Sequence, residues 1–280
     1  MPTQTIGAVD NEVRLAGYVA GGLAATTTVK TTGLPKGTRN LYLSCHNLST
    51  ATVVEYALNS WLTVLVTQDG GATFTDYSEE AQNDPGTADD ISLDSLNTLA
   101  NGDAIFLGSH LPFRGVQIDV EAANSTTNTL TADYYNGTTW VDLDETDGTA
   151  SGGVSLAQDG AITFASVPAA WVAAPLRDVM AKDNEPFKPT YVQPTGAREH
   201  VSPLYWARLK VGTAAMDSDT TLNSIHILNR SERYAQLVPN QEKAQAFKRG
   251  FGGFGSIEYS TDAGTADFLA NVGSGNGYFG

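Results

Sequence analysis

Short runs of alternating apolar and polar residues recur along this chain, many of them bounded by Gly, Asn or Asp. Period two is the spacing of a strand that buries one face, whereas a helix repeats its apolar positions every three to four residues. Residues 40–44, 52–58, 62–67 and 73–77 read as four strands, the last two joined by the turn signal Gln68-Asp69-Gly70-Gly71. A second series follows at 104–108, 116–120, 129–135, 139–141, 153–156, 161–164, 205–211 and 223–228. Asn136-Gly137 stands between Tyr134-Tyr135 and Trp140-Val141, a hairpin signal. Over residues 205–211 the alternation sets Arg208 and Lys210 opposite Tyr205, Leu209 and Val211, which predicts one wet face and one packed face.

These runs predict an all-β fold of two antiparallel β-sandwich or jelly-roll-like units with extended N- and C-terminal arms. The expected divisions are an arm over 1–39, a small β unit over 40–98, a β-sandwich domain over 99–230 and a Gly/aromatic arm over 231–280, with the boundary between units near 98–102. Residues 78–90 read as a solvated acidic loop. Residues 175–203, with Pro175, Pro186, Pro189, Pro194 and Pro203, make a loop long enough to suggest an assembly contact. Residues 236–249, which include Gln241-Glu242-Lys243-Ala244-Gln245-Ala246, favour one short helix.

Composition supports strands and narrows the partners. Only 17% of the 280 residues are charged, and Thr, Ser, Asn and Gly fill the difference. The net charge of -15 divides as about -7 over residues 1–98, -7 over 99–230 and -1 over 231–280, with no basic stripe, so nucleic acid is not an expected partner. Cys45 is alone, which leaves stability to packing and assembly. Residues 1–5 lack the pattern of a secretory leader and no run approaches a membrane helix; the expectation is synthesis in a cytoplasm and no membrane partner.

The motifs that could carry chemistry have structural readings. Residues 67–74 match one Asp box, a hairpin turn of β-propellers, and a propeller needs several repeats. Asp142-Leu143-Asp144-Glu145-Thr146-Asp147-Gly148 begins like a calcium loop, but its third acid comes one residue late and no closing Glu follows. His46, His110, His200 and His226 lack metal-ligand spacing, and His226 reads as a strand-surface residue. No nucleophile elbow is present, and the acids concentrate in turns. Neither an enzyme nor a cofactor is expected. Tyr134, Tyr135, Trp140, Trp171, Tyr205 and Trp206 would suit sugar stacking where exposed and a core where buried.

The order of Gly102-Asp103-Ala104-Ile105-Phe106-Leu107-Gly108, Pro112-Phe113-Arg114-Gly115, Tyr134-Tyr135-Asn136-Gly137-Thr138-Thr139-Trp140, Thr146-Asp147-Gly148-Thr149, Ala161-Ile162-Thr163-Phe164, Trp171 and Tyr205-Trp206-Ala207-Arg208-Leu209 resembles a β-sandwich module of tailed-bacteriophage structural proteins. The resemblance spans roughly residues 100–228, and the chain departs from it in the long link between Trp171 and Tyr205. It implies a virion component with no catalytic residues to transfer. A capsid decoration or cement protein on the outer surface of the head is the preferred expectation, its partners the major capsid protein, other virion subunits and further copies of itself, a trimer among the options. Phe247, Phe251, Phe254, Tyr278 and Phe279 in the C-terminal arm, with Phe187 and Tyr191 in the Pro-rich loop, are then the candidate assembly contacts. The rivals are a tail, baseplate or fibre component with a carbohydrate-binding role in host attachment, and a glycan hydrolase.

Overall fold

The computed structural model describes residues 58–68, 74–82, 91–93, 96, 102–181 and 203–228, together with strand segments 13–19, 30–33, 40–46, 54–57, 235–237, 245–248, 254–261 and 267–273. The chain is all-β and forms two compact units, residues 1–58 with 233–280 and residues 59–232. The first unit begins with β1 (Val13–Val19), β2 (Lys30–Gly33), β3 (Asn40–His46) and β4 (Val54–Ser60). The second supplies β5 (Thr63–Thr67), β6 (Thr75–Asp76), β7 (Ile91–Ser92), β8 (Ala104–Ser109), β9 (Gly115–Ala122) and β10 (Leu130–Tyr135). It continues through β11 (Trp140–Asp142), β12 (Glu145–Asp147), β13 (Gly160–Phe164), β14 (Ala173–Ala174), the short helix α1 (Leu176–Ala181), β15 (Leu204–Val211) and β16 (Thr221–Ile227). The chain then returns to the first unit as β17 (Ala235–Leu237), β18 (Gln245–Lys248), β19 (Phe254–Thr261) and β20 (Asp267–Gly273).

Two four-stranded sheets make up the first unit, in the orders β1-β20-β3-β18 and β17-β4-β19-β2. Val13 pairs with Gly273, Val19 with Phe268, and Gly33 with Ser256, so strands from the two chain ends hydrogen-bond to one another. This corrects the extended arms expected over 1–39 and 231–280, which contain β1, β2 and β17 to β20. Glycine and threonine leave these segments with weak local preference, and their ladder partners lie at the far end of the sequence. The short helix expected within 236–249 is also corrected. Gln245 pairs with Leu43 and Lys248 with Asn40, so strand pairing overrides the helix preference over 245–248, while residues 238–244 lie outside the described residues.

The boundary expected near 98–102 falls inside the second unit. There β5 pairs with β8 across it, from Thr63 opposite Gly108 to Thr67 opposite Ala104. Two sheets form this unit, one in the order β11-β10-β15-β8-β5-β6 with β14 also on β15, the other β12-β13-β9-β16-β7. They pack face to face as a sandwich. Val64, Val66, Ile105, Leu107, Leu130, Ala132, Tyr134, Leu209 and Val211 of the first sheet share one core with Val116, Ile118, Ile162, Phe164, Leu222, Ile225 and Ile227 of the second. Leu222 and Ile225 reach the same core at odd spacing because the β16–β9 register shifts between Leu222 and Ser224.

The first sheet is buried on its other face as well. Leu65, Ala104, Phe106, Tyr135, Leu204 and Trp206 point away from the sandwich interior and form a second cluster with Phe74, Ala174, Leu176 and Val179. Two-sided burial explains why β5 and β8 are buried at every position and read as continuous apolar runs. Close covering also sets a size limit, since a Cβ on Gly108 would stand 2.7 Å from the Trp206 ring.

Several local expectations change in consequence. Arg208 and Lys210 do oppose Leu209 and Val211, but the face they share is buried, not wet, leaving them 9% and 8% exposed. His226 is buried at 5% exposure on the strand where a surface histidine was expected. Residues 153–156 form turns and isolated bridges, Asn128 with Val154 and Ser151 with Val154, instead of a strand. Within the acidic stretch 78–90, Ser78, Ala81 and Gln82 are buried, and the Gln82 side-chain amide donates to the Leu62 carbonyl at 3.1 Å.

Candidate functional site

The outer face of the β11-to-β6 sheet gathers most of the residues singled out in the sequence. Two indole bonds tie the segment before α1 to β15, with the Trp206 ring in the outer-face cluster and the Trp171 ring in the core between the sheets. The Trp171 indole N–H donates to the Trp206 carbonyl at 3.0 Å, and the Trp206 indole N–H donates to the Ala174 carbonyl at 2.8 Å. Between them β14 pairs with the start of β15, Ala173 opposite Tyr205 and Ala174 opposite Leu204. The helix α1 follows at once, its first turn accepted by the Pro175 carbonyl from the N–H groups of Asp178 and Val179, at 2.9 and 3.3 Å. Leu176 and Val179, three apart, turn one face onto the sheet.

Aromatic rings and ions lie side by side under this cover. Phe106 meets Phe74 and Trp140 edge-on, with ring centroids 5.6 and 5.7 Å apart, and Trp140 meets Tyr135 at 5.7 Å. The Arg208 guanidinium carbon stands 4.5 Å from the Trp140 ring centre, within reach of a cation–π attraction. The Asp133 carboxylate accepts the Arg208 Nε–H at 2.9 Å and the Lys210 ammonium at 2.5 Å. Asp133 and Arg208 are direct cross-strand partners in the β10–β15 ladder. Only about a tenth of each of the three side chains is exposed, so the group serves packing and register more readily than exchange with a solute.

The sugar-stacking expectation is answered ring by ring. Tyr134, Tyr135, Trp171 and Trp206 are 7%, 1%, 4% and 0% exposed, and Trp140 and Tyr205 are half-buried against their neighbours. Of the candidate assembly contacts, Phe247 falls in β18 and Phe254 begins β19, while Phe187, Tyr191, Phe251, Tyr278 and Phe279 lie outside the described residues, as does His200. The Asp-box segment connects β5 to β6, whose antiparallel pairing sets Val66 opposite Thr75; Asp69, Gly70 and Gly71 lie outside the described residues.

Acidic and amide side chains at the sandwich ends work as turn formers. Tyr135 pairs with Trp140 across a four-residue link. In that link the Asn136 side-chain oxygen accepts the Thr138 N–H, the Thr138 hydroxyl and the Thr139 N–H, each at 2.9 Å. Gly137 supplies the positive φ of 96° that the turn requires. In the calcium-like stretch, Asp142 accepts the Asp144 N–H, and Asp147 accepts the backbone and hydroxyl donors of Thr149. Among the described residues no group of three or more His, Cys, Asp or Glu is placed to hold a metal ion, and no helix is long and apolar enough to cross a membrane.

Asp217 was not singled out in the sequence, although Asp217-Ser218-Asp219-Thr220 has the composition of an Asx turn. Its carboxylate accepts the Ser125 hydroxyl and N–H, both at 2.6 Å, and the Thr220 hydroxyl at 2.7 Å. Donation from Ser125 and then Thr220 lowers its pKa from 3.8 to about 2. A value lowered on folding contributes stability above 3.8 that is lost as pH falls toward about 2. Ser125→Ala should move the Asp217 midpoint upward toward 3.8, read from the carboxyl carbon in an NMR titration; an unmoved midpoint would remove the hydroxyl as its cause. No family model matches the chain, and no curated protein matches it.

Proposed function

We propose that this chain is a non-catalytic structural protein of a tailed-bacteriophage particle, a decoration or cement protein on the outer surface of the capsid. The observation that carries this reading is that the resembling segments, from Gly102 to Leu209, all belong to one β-sandwich whose larger sheet is covered on both faces. Among the described residues, Asp142 and Asp147 form turns and Asp133 joins a buried ion cluster. The charge of -15 suits a place away from the packaged genome. Burial of the Tyr134, Tyr135, Trp171 and Trp206 rings argues against attachment to sugars through those rings.

Partners in this reading are the major capsid protein and other virion subunits. The paired strands of the first unit alter how they would be met, because contacts through Phe247 and Phe254 would come from β18 and β19 and not from free arms. A deletion of residues 231–280 would remove β17 to β20 and so confound loss of binding with loss of fold. The appropriate test is a reconstruction of the intact particle carrying the full-length chain. Density for the sandwich at capsomer joints on the outside of the head is the expected result; density confined to the tail, or none on the particle, overturns it.

A further inference from the structure

An Asn-Gly pair can react with itself. The glycine nitrogen attacks the asparagine side-chain carbon, because no Cβ obstructs it and closure makes an unstrained five-membered ring. The chain contains three such pairs, Asn101-Gly102, Asn136-Gly137 and Asn276-Gly277. Their shared chemistry makes any difference in reactivity a report on their surroundings. Asn101 and Asn276 lie outside the described residues, whereas Asn136 and Gly137 stand in the link between β10 and β11, both partly exposed to water. The Asn136 N–H donates to the Thr139 carbonyl at 3.1 Å and closes that link. Its side-chain Oδ1 accepts the Thr138 N–H, the Thr138 hydroxyl and the Thr139 N–H, each at 2.9 Å. Acceptance from both following amides draws the side chain forward along the chain, toward the Gly137 nitrogen that must attack, so little freedom remains to be lost on ring closure.

Three donors converge on one oxygen, and that oxygen is the atom that turns negative when a nucleophile adds to the amide carbon. Fixed donors aimed at a developing oxyanion lower the barrier to its formation. We propose that the Asn136-Gly137 turn is a self-modification site, in which the Thr138 and Thr139 donors speed conversion of Asn136 to a succinimide and then to an acid. The Gly137 nitrogen gives its proton to hydroxide and bonds to the Asn136 side-chain carbon. The electron pair gathers on Oδ1, then returns and expels the amide nitrogen, which takes a proton from water and leaves as ammonia. Hydroxide is regenerated. Water then opens the ring at either carbonyl, leaving aspartate or isoaspartate at position 136. Each conversion adds one negative charge to the -15 of the chain. Aspartate keeps the oxygen that the three donors serve, and its charge strengthens those bonds. Isoaspartate instead lengthens the main chain of the link by one carbon, against the spacing that sets Tyr135 opposite Trp140.

The inference concerns the purified chain and stands apart from the virion reading, so the failure of one leaves the other intact. Full-length protein held at mildly alkaline pH, sampled over weeks and digested, gives the rate at each Asn-Gly pair from the mass gain of an amide replaced by an acid. The same chain unfolded in guanidinium chloride supplies the intrinsic rate, with Asn101 and Asn276 as internal references. Asn136 should convert roughly tenfold faster in the folded protein than in the unfolded chain, the equivalent of one net hydrogen bond. Thr138→Ala removes the hydroxyl donor at an exposed position and leaves the backbone donors in place; it should slow conversion in the folded protein by roughly threefold. Thr138→Ser restores the hydroxyl and should recover the wild-type rate, which separates the donor from any loss of fold. Conversion of Asn136 no faster in the folded protein than in the unfolded chain overturns the inference. A folded Thr138→Ala variant that converts as fast as the wild type overturns it as well.

Discussion

Trp206→Ala should destabilise the second unit by about 3–5 kcal/mol, the range for truncating a large buried aromatic. Trp206 is 0% exposed, and its ring belongs to the cluster that also contains Leu65, Phe106, Tyr135 and Leu204. Two losses combine. The first is the apolar area and the cavity it leaves between the sheet and the segment that covers it. The second is the indole donor to the Ala174 carbonyl, a bond that holds β14 and, through Pro175, the start of α1 against β15. Urea unfolding followed by far-ultraviolet circular dichroism measures the first. Amide exchange at Val179 measures the second, and should accelerate beyond the change at Ile118 on the opposite sheet. A cost below about 1 kcal/mol would mean that the cover over Trp206 is not packed as described.

The sandwich was legible in the sequence where neighbours along the chain decide the outcome. Asn136-Gly137 makes its turn with bonds from Thr138 and Thr139, all within four residues, and the strands on either side pair as expected. The alternation over residues 205–211 likewise assigns each side chain to the correct face of β15. What alternation cannot carry is the identity of whatever lies over a face. Arg208 and Lys210 looked wet because charged residues usually are. They are buried beside Asp133, which sits on the adjacent strand but far off in sequence. A hint was present in the apolar residues Leu204 and Trp206, which share the face of Arg208 and Lys210 and would be costly to expose.

The same distance effect explains the first unit. Val13 finds Gly273, and Asn40 finds both Gly273 and Lys248, so the sheets are written in two segments separated by the whole of the second unit. Neither segment contains its own ladder partners. Read alone, each resembles a Gly- and Thr-rich tail, and local preference favours a helix near Ala244-Gln245-Ala246. Strand pairing between the chain ends reverses both readings. For the candidate site, composition located the acidic turns but left their purpose open. Asp147 completes a turn through Thr149, and Asp217 completes a contact with Ser125, a partner distant in sequence.

Removing the Asp133 carboxylate tests whether the outer face is as dry as its geometry implies. Asp133→Ala should cost about 3–5 kcal/mol, because it leaves Arg208 and Lys210 as neighbouring cations, 9% and 8% exposed, without the anion between them. The Trp140 ring can offset part of this for Arg208 but leaves the Lys210 ammonium without that carboxylate. Were the face solvated, water would screen the two cations and the change would cost about 1 kcal/mol or less, as at an ordinary surface ion pair. A second variant separates the charge from the packing. Replacing the trio together, Asp133→Leu with Arg208→Met and Lys210→Leu, removes all three desolvation costs and should recover most of the lost stability. Urea unfolding of the single and triple variants therefore has opposite outcomes for a buried and an exposed cluster. Recovery in the triple variant would show that the β10–β15 pairing does not depend on these ions for its stability.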